Sequence, residues 1–310
     1  MTASVRYALL GGFILLVAGV VELMRDQSGY FKSRQGTLVN DTQPRVNGPA
    51  LENIVLVSSS GLEVAMRVRL PPEAMTQKVP LILLIGGYRT GKHAVDLVKD
   101  PRGLAYAAID YPYDGTLSPR SALDKAIMFR DVQNAFIDTP PALMLAMDWL
   151  EKQAWLDQDH THLLGVSLGV PFAAAAAAVD ERFKHVWLIH GAAKNTDWLD
   201  HALSRQIESD WLRAAAAHAG IFLMYGNAFD TLERVSDIAP RPVTLISARE
   251  DERVPEQSKD LLQAAAQREH VTHIWSEGRH IGPRRQRELN QLLKLVTDKV
   301  IAGANPITHQ

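Results

Sequence analysis

The chain has 310 residues, 46% hydrophobic and 22% charged, the balance of a folded globular protein and not of a disordered one. Its 33 basic and 35 acidic side chains leave a formal net charge of −2, which offers no electrostatic case for nucleic acid. The absence of cysteine excludes disulfides, thiol catalysis and Cys-ligated zinc or iron–sulfur centres, while leaving the compartment open.

Residues 1–25 stand apart from the rest. An uncharged run extends from Tyr7 to Val21, with Arg6 before it and Arg25 after it. The run is shorter than the ~20 apolar residues of a spanning helix and close to the core of a signal peptide. It reads as an N-terminal membrane anchor or a signal segment, with Val17-Ala18-Gly19 as the best cleavage site and no cysteine for a lipid anchor. The membrane is therefore an expected partner, and the remainder of the chain is expected outside the cytoplasm. Residues 26–50, rich in polar residues with Gly, Pro and Asn, read as a linker.

From residue 51 to 310 apolar runs alternate with helical segments. Strands are expected at 53–58, 63–70, 80–86, 104–110, 161–166, 185–190, 242–248 and 271–276. The first two are punctuated by polar residues and separated by Ser60-Gly61, as in an antiparallel hairpin. The later runs are almost continuously apolar, as strands are when helices cover both faces of a parallel sheet. Helices are expected at 140–153, 168–179, 255–269 and 283–302; the last repeats Leu289, Leu292, Leu293, Val296 and Val300 at helical spacing. The expected fold is α/β, a mostly parallel twisted sheet of about eight strands with a helical insertion after the sixth. That insertion, 191–240, carries Trp198, Trp211, Phe222, Tyr225 and Phe229. It reads as a cap whose Trp and Phe residues line an apolar acyl pocket, or as a packing helix pair.

The chemistry concentrates at strand ends. Gly165-Val166-Ser167-Leu168-Gly169 matches G-x-S-x-G between a strand and a helix, where a sharp turn exposes the serine and demands small flanking residues. A serine hydroxyl is a poor nucleophile until a base takes its proton, and that base needs an orienting carboxylate. Asp251, in a turn past the strand 242–248, supplies the carboxylate. His280, in a loop past the final strand between Gly278 and Gly282, supplies the base. His190, Asp230, Asp110, Arg89 and Arg279 also fall near strand ends or in the insertion, where structural roles and solvated charge are the simpler readings. No spacing of acidic or histidine residues suggests a metal, and no cofactor is implied. "GGYRTGK", residues 86–92, follows a strand as a phosphate-binding loop does, but His93 stands where that motif needs Ser or Thr.

With these motifs in place, the chain from about residue 50 to residue 302 resembles the α/β-hydrolase superfamily, in the manner of small serine esterases and dienelactone-hydrolase-like proteins. The resemblance implies a Ser167–His280–Asp251 triad after the fifth, eighth and seventh strands. It also implies an oxyanion hole from the backbone N–H of Leu168 and of Tyr88 or Gly87, in a loop where Gly86-Gly87 replaces the usual His-Gly. The activity it implies is cofactor-free cleavage of a small-molecule carboxylic ester or thioester through an acyl-enzyme. A peptidase or perhydrolase using the same triad, and a hydrolase-shaped binding protein at the membrane, remain open.

Overall fold

The computed structural model describes residues 17, 19–21, 27–41, 52–113, 115, 118, 120–282 and 284–304. The segment read as an anchor or signal lies almost wholly outside these residues. Among the described residues no helix is long and apolar enough to cross a membrane.

Among the described residues, nine strands form a single sheet in the order β1-β2-β3-β5-β4-β6-β7-β8-β9. β1 (Leu38–Asp41), β2 (Glu52–Ser58) and β3 (Glu63–Arg69) make an antiparallel meander that joins the edge of β5 (Ala105–Ile109). β4 (Val79–Ile85), β5, β6 (Leu156–Val166), β7 (His185–Ile189), β8 (Val243–Ala248) and β9 (Val271–Ser276) run parallel. The parallel strands are buried on both faces because alternate side chains feed separate cores. Leu81, Leu83 and Ile85 of β4 enter one core, and Ile82 and Leu84 enter the other.

The first core is covered by α2 (Ala122–Leu150) and α3 (Gly169–Val179). In α3, Ala173 through Ala177 are fully buried, so small side chains bring that helix close to the sheet. The second core is covered by α8 (Gln286–Ala304), through Leu289, Leu292, Val296 and Val300, and by a short 3-10 helix, Gly91–Leu97. α7 (Glu256–Ala265) connects β8 to β9. The insertion 191–240 holds α4 (Asn195–Leu203), α5 (Asp210–Leu223), a 3-10 turn and α6 (Thr231–Asp237); α4 and α5 pack together, and α6 lies on α3.

Two expectations are corrected. Residues 27–41, read as part of a linker, belong to the body: α1 (Ser28–Gln35) and the ninth strand β1 lie there. Phe31 is 2% exposed and stacks on Phe229 at 6.1 Å, while Arg34 pairs bidentately with Asp138 and Trp149 donates to Asp41. α2 begins at Ala122, not at residue 140. A capping box, Ser121 with Asp124, starts it, and Pro140-Pro141 sit within it. Proline favours a helix's first turn, which is why the pair reads as a start. Here Thr139 hydroxyl donates to the Ala135 carbonyl just ahead of the two missing N–H groups.

β4 lies between β5 and β6, so the chain leaves β4 toward one side of the sheet and continues from β6 toward the other. Open α/β sheets carry their binding crevice beyond the strand ends at such a reversal. The loops after β4 and β6 therefore flank the place to look for chemistry.

Candidate active site

Ser167 follows β6 directly and adopts a left-handed backbone, φ 54°, as its N–H donates to Ile189 O on β7. A non-glycine residue held there stores strain that the surroundings must impose. They do so through the two flanking glycines. A Cβ on Gly165 would lie 2.7 Å from the Cβ of Ala173, and one on Gly169 would lie 2.1 Å from Ile85 O. Only glycine permits the turn to pack between β4 and α3.

Ser167 Oγ lies 2.8 Å from His280 Nε2, and His280 Nδ1 lies 2.8 and 3.0 Å from the carboxylate oxygens of Asp251. Both His280 and Asp251 are buried. Burial drives the Asp251 carboxyl upward. The hydrogen bond and charge of His280, with the N–H groups of Arg253 and Val254 at 2.8 and 3.0 Å, more than offset this and hold it below the ordinary aspartate value. Asp251 is thus ionised and locked, and its geometry selects the His280 tautomer with hydrogen on Nδ1 and a lone pair on Nε2 facing the serine.

The histidine loop is braced from two sides. Glu252 accepts the His280 backbone N–H at 3.2 Å and pairs with Arg285, which also donates to His280 O. Glu252 points at backbone and guanidinium, not at the imidazole; the Arg285 hydrogen bond overrides its burial and holds its carboxyl at about 2. On the other side stands His190, at the end of β7 and also left-handed, φ 54°. Its Nδ1 accepts the Ile281 N–H at 2.9 Å, so Nε2 carries the hydrogen and faces Ser276 Oγ at 2.9 Å, which in turn donates to Ser247 O. Its ring lies 5.7 Å from that of His280. Burial holds the His190 imidazole down at about 4, so it is neutral in ordinary buffers. The sequence shows only a histidine at a strand end; its bond to a residue 91 positions later has no local signal. The ligand atoms of His190, Asp251 and His280 lie within 4.8 Å of one another, but these hydrogen bonds already engage them.

On the opposite side of Ser167 is the loop after β4. Tyr111 hydroxyl donates to Gly86 O at 2.7 Å and pins its start, while Lys92 pairs with Asp110 at 2.5 Å and pins its end. The N–H groups of Thr90 and Gly91 donate to Gly87 O, so the loop does not hold out the successive free amides of a phosphate cradle. Among the described residues, neither the Tyr88 nor the Leu168 N–H has an acceptor. Cβ atoms on Gly86 or Gly87 would meet open space, because these residues border a cavity. The cleft above Ser167, about 1030 Å³, is bounded by Tyr88, Phe136, Trp198, Met224 and Phe229. Two aromatic residues of the insertion thus face the cleft; Trp211 does not, and is 76% exposed.

The remaining candidates lie outside this constellation. Asp230 caps α6 by accepting the Leu232 N–H, Asp110 is paired with Lys92, and Arg279 reaches Glu252 at 3.6 Å. Arg89 is exposed on the cleft rim.

No curated protein matches the sequence. Among solved structures, 2,6-dihydroxy-pseudo-oxynicotine hydrolase aligns with TM-score 0.58 at 22% identity, over 82% of this chain and 69% of that one. Acetyl xylan esterase from Paenibacillus sp. R4 aligns with TM-score 0.58 at 15% identity, over 87% and 92%. Acylaminoacyl peptidase from Pyrococcus horikoshii aligns with TM-score 0.56 at 16% identity, over 82% of this chain but 41% of its own longer one. Likeness at such identities establishes the α/β-hydrolase fold and no particular substrate. The sequence profile of the prolyl oligopeptidase family matches residues 97–298, well over half the chain, including Ser167, Asp251 and His280. With the sheet order and the elbow already in hand, the chain belongs to the prolyl oligopeptidase family of hydrolases.

Proposed function

We propose that the protein is a serine hydrolase that cleaves carboxylic esters or thioesters through an acyl-enzyme on Ser167. The observation that carries this reading is the unbroken run from Ser167 Oγ through both nitrogens of His280 to a buried, ionised Asp251. Ser167 Oγ attacks the carbonyl carbon as its proton passes to His280 Nε2. The carbonyl oxygen takes the charge within reach of the Tyr88 and Leu168 N–H groups, a type of contact worth about 3–4 kcal/mol per donor in the transition state. The imidazolium, held by Asp251, returns the proton to the departing oxygen or sulfur as the bond to the acyl carbon breaks. Water then enters from the cleft, His280 removes its proton, and collapse of the second tetrahedral species frees the acid and regenerates Ser167.

The family match also supports a second reading, cleavage of a peptide or acyl-amide bond by the same residues. A panel of p-nitrophenyl esters, an acyl thioester and a dipeptide p-nitroanilide separates the two. We expect kcat/KM for ester or thioester to exceed that for amide by at least 10³-fold, with Ser167→Ala losing all of it. Faster turnover of the amide supports the peptidase reading. Hydrolysis that survives Ser167→Ala contradicts both.

A further inference from the structure

Ser167 borders two cavities, not one. Gly87, Thr90, Ser167, Arg253, Ile281 and Gly282 are common to the wide cleft above and to a second space below, about 180 Å³, that enters the sheet's other core. The second space exists for a local reason. The β4–β5 crossover covers its side of the sheet with only the seven-residue 3-10 helix Gly91–Leu97 in place of a longer α-helix. Among the described residues, α8 alone spans the remainder, and the sheet beneath it borders the second space.

The walls are apolar: Ile82, Leu84, Leu164 and Ile189 from the sheet, Leu292 and Val296 from α8. The far end is closed by Tyr106 and Thr297, whose hydroxyls hydrogen-bond each other at 2.9 Å and so offer little to water. Ile82 and Tyr106 sit in register with one another and with His162, five residues before Ser167. The space therefore extends from Ser167 along β6 toward the level of His162. A dry apolar cavity of about 150 Å³ holds a six-carbon ring, so this one has room for about six to eight carbons, and its length suits an unbranched chain.

We propose that this second cavity is the acyl pocket, and that the substrates are esters or thioesters of medium-length, unbranched fatty acids. The assignment rests on the acyl-enzyme reading above and makes it specific. The acyl group stays bound to Ser167 while the leaving group departs and water arrives, so the two traffic paths need the open side. That side is the wide cleft, where Arg89 and Arg284 are exposed and the surface is polar enough for water and a hydrophilic leaving group. The narrower side is walled mainly by apolar side chains and suits the part that remains.

The test is the acyl-length profile of kcat/KM on p-nitrophenyl esters from two to twelve carbons. The wild-type optimum falls at six to eight carbons. Val296→Phe fills the far end, moves the optimum to four carbons or fewer, and lowers the octanoyl-to-acetyl ratio at least tenfold. Leu292→Ala enlarges the space and moves the optimum to ten carbons or more. The opposite directions keep the test decisive even if one variant does not fold. Hydrolysis with a profile that neither variant shifts overturns the pocket assignment and leaves the hydrolase reading standing. Failure of the wild type to cleave any ester overturns both.

Discussion

Ser167 and His190 end neighbouring parallel strands, and both are held at φ 54°. The first presents its hydroxyl to His280; the second carries the backbone next to His280 on its own ring nitrogen. His190 is a positioning residue in this account, acting on the base through Ile281 N–H and not on substrate. A displacement near 1 Å at a reacting group costs about 10²-fold in rate. His190→Ala is therefore expected to lower kcat by about that factor with KM changed less than threefold. Because His190 is neutral above its value of about 4, the pH–rate profile above pH 5 keeps its wild-type inflection. Loss or displacement of that inflection would show His190 titrating in the reaction and would contradict the positioning role.

At the scale of elements, the parallel strands were legible because each is an apolar run buried on both faces; β9 coincides with 271–276, and β4 and β7 differ by a residue. The elbow was legible for a related reason. Its two glycines are demanded by contacts under 3 Å, and sequence records such a demand as an identity at fixed spacing. What escaped was structure held by single long-range contacts. α1 and β1 have one deeply buried hydrophobic anchor, Phe31, so no periodicity marks them; besides the pairing of β1 with β2, their hold on the body includes Phe229, Asp138 and Trp149, all distant in sequence. The loop after β4 reads as a damaged phosphate motif until Lys92 is seen paired with Asp110. α1 is an integral element if Phe31→Ala lowers the unfolding free energy by about 3–5 kcal/mol, the range for a buried phenylalanine truncated to alanine. Urea melts measure it, and a loss under 1 kcal/mol would return residues 27–41 to the status of a tether.

Taken as a whole, the molecule buries histidines far beyond its catalytic need. His162, His185 and His190 are held by burial at about 3, about 4 and about 4, against about 6.5 in an unfolded chain. Between those limits the unfolded chain binds protons that the folded one refuses. Stability therefore falls as pH drops from about 6.5 toward 4, by about 1.4 kcal/mol per pH unit for each histidine, and is independent of them above 7. Urea midpoints at pH 8, 7, 5.5 and 4.5 are expected to be flat across the first pair and to fall steeply across the second. A midpoint unchanged down to pH 4.5 would mean that these side chains reach solvent.

The central claim is that Ser167 is a nucleophile made reactive by His280 and Asp251. Its most direct measurement is intact-mass and peptide mapping after exposure to an alkyl fluorophosphonate, with wild type, Ser167→Ala and Asp251→Asn side by side. The account predicts one adduct per chain on the peptide bearing Ser167, none in Ser167→Ala, and labelling slowed by about 10⁴-fold in Asp251→Asn, where the imidazole loses its required tautomer. A folded wild-type protein that takes no adduct, or takes it on another residue, would contradict the account at its root.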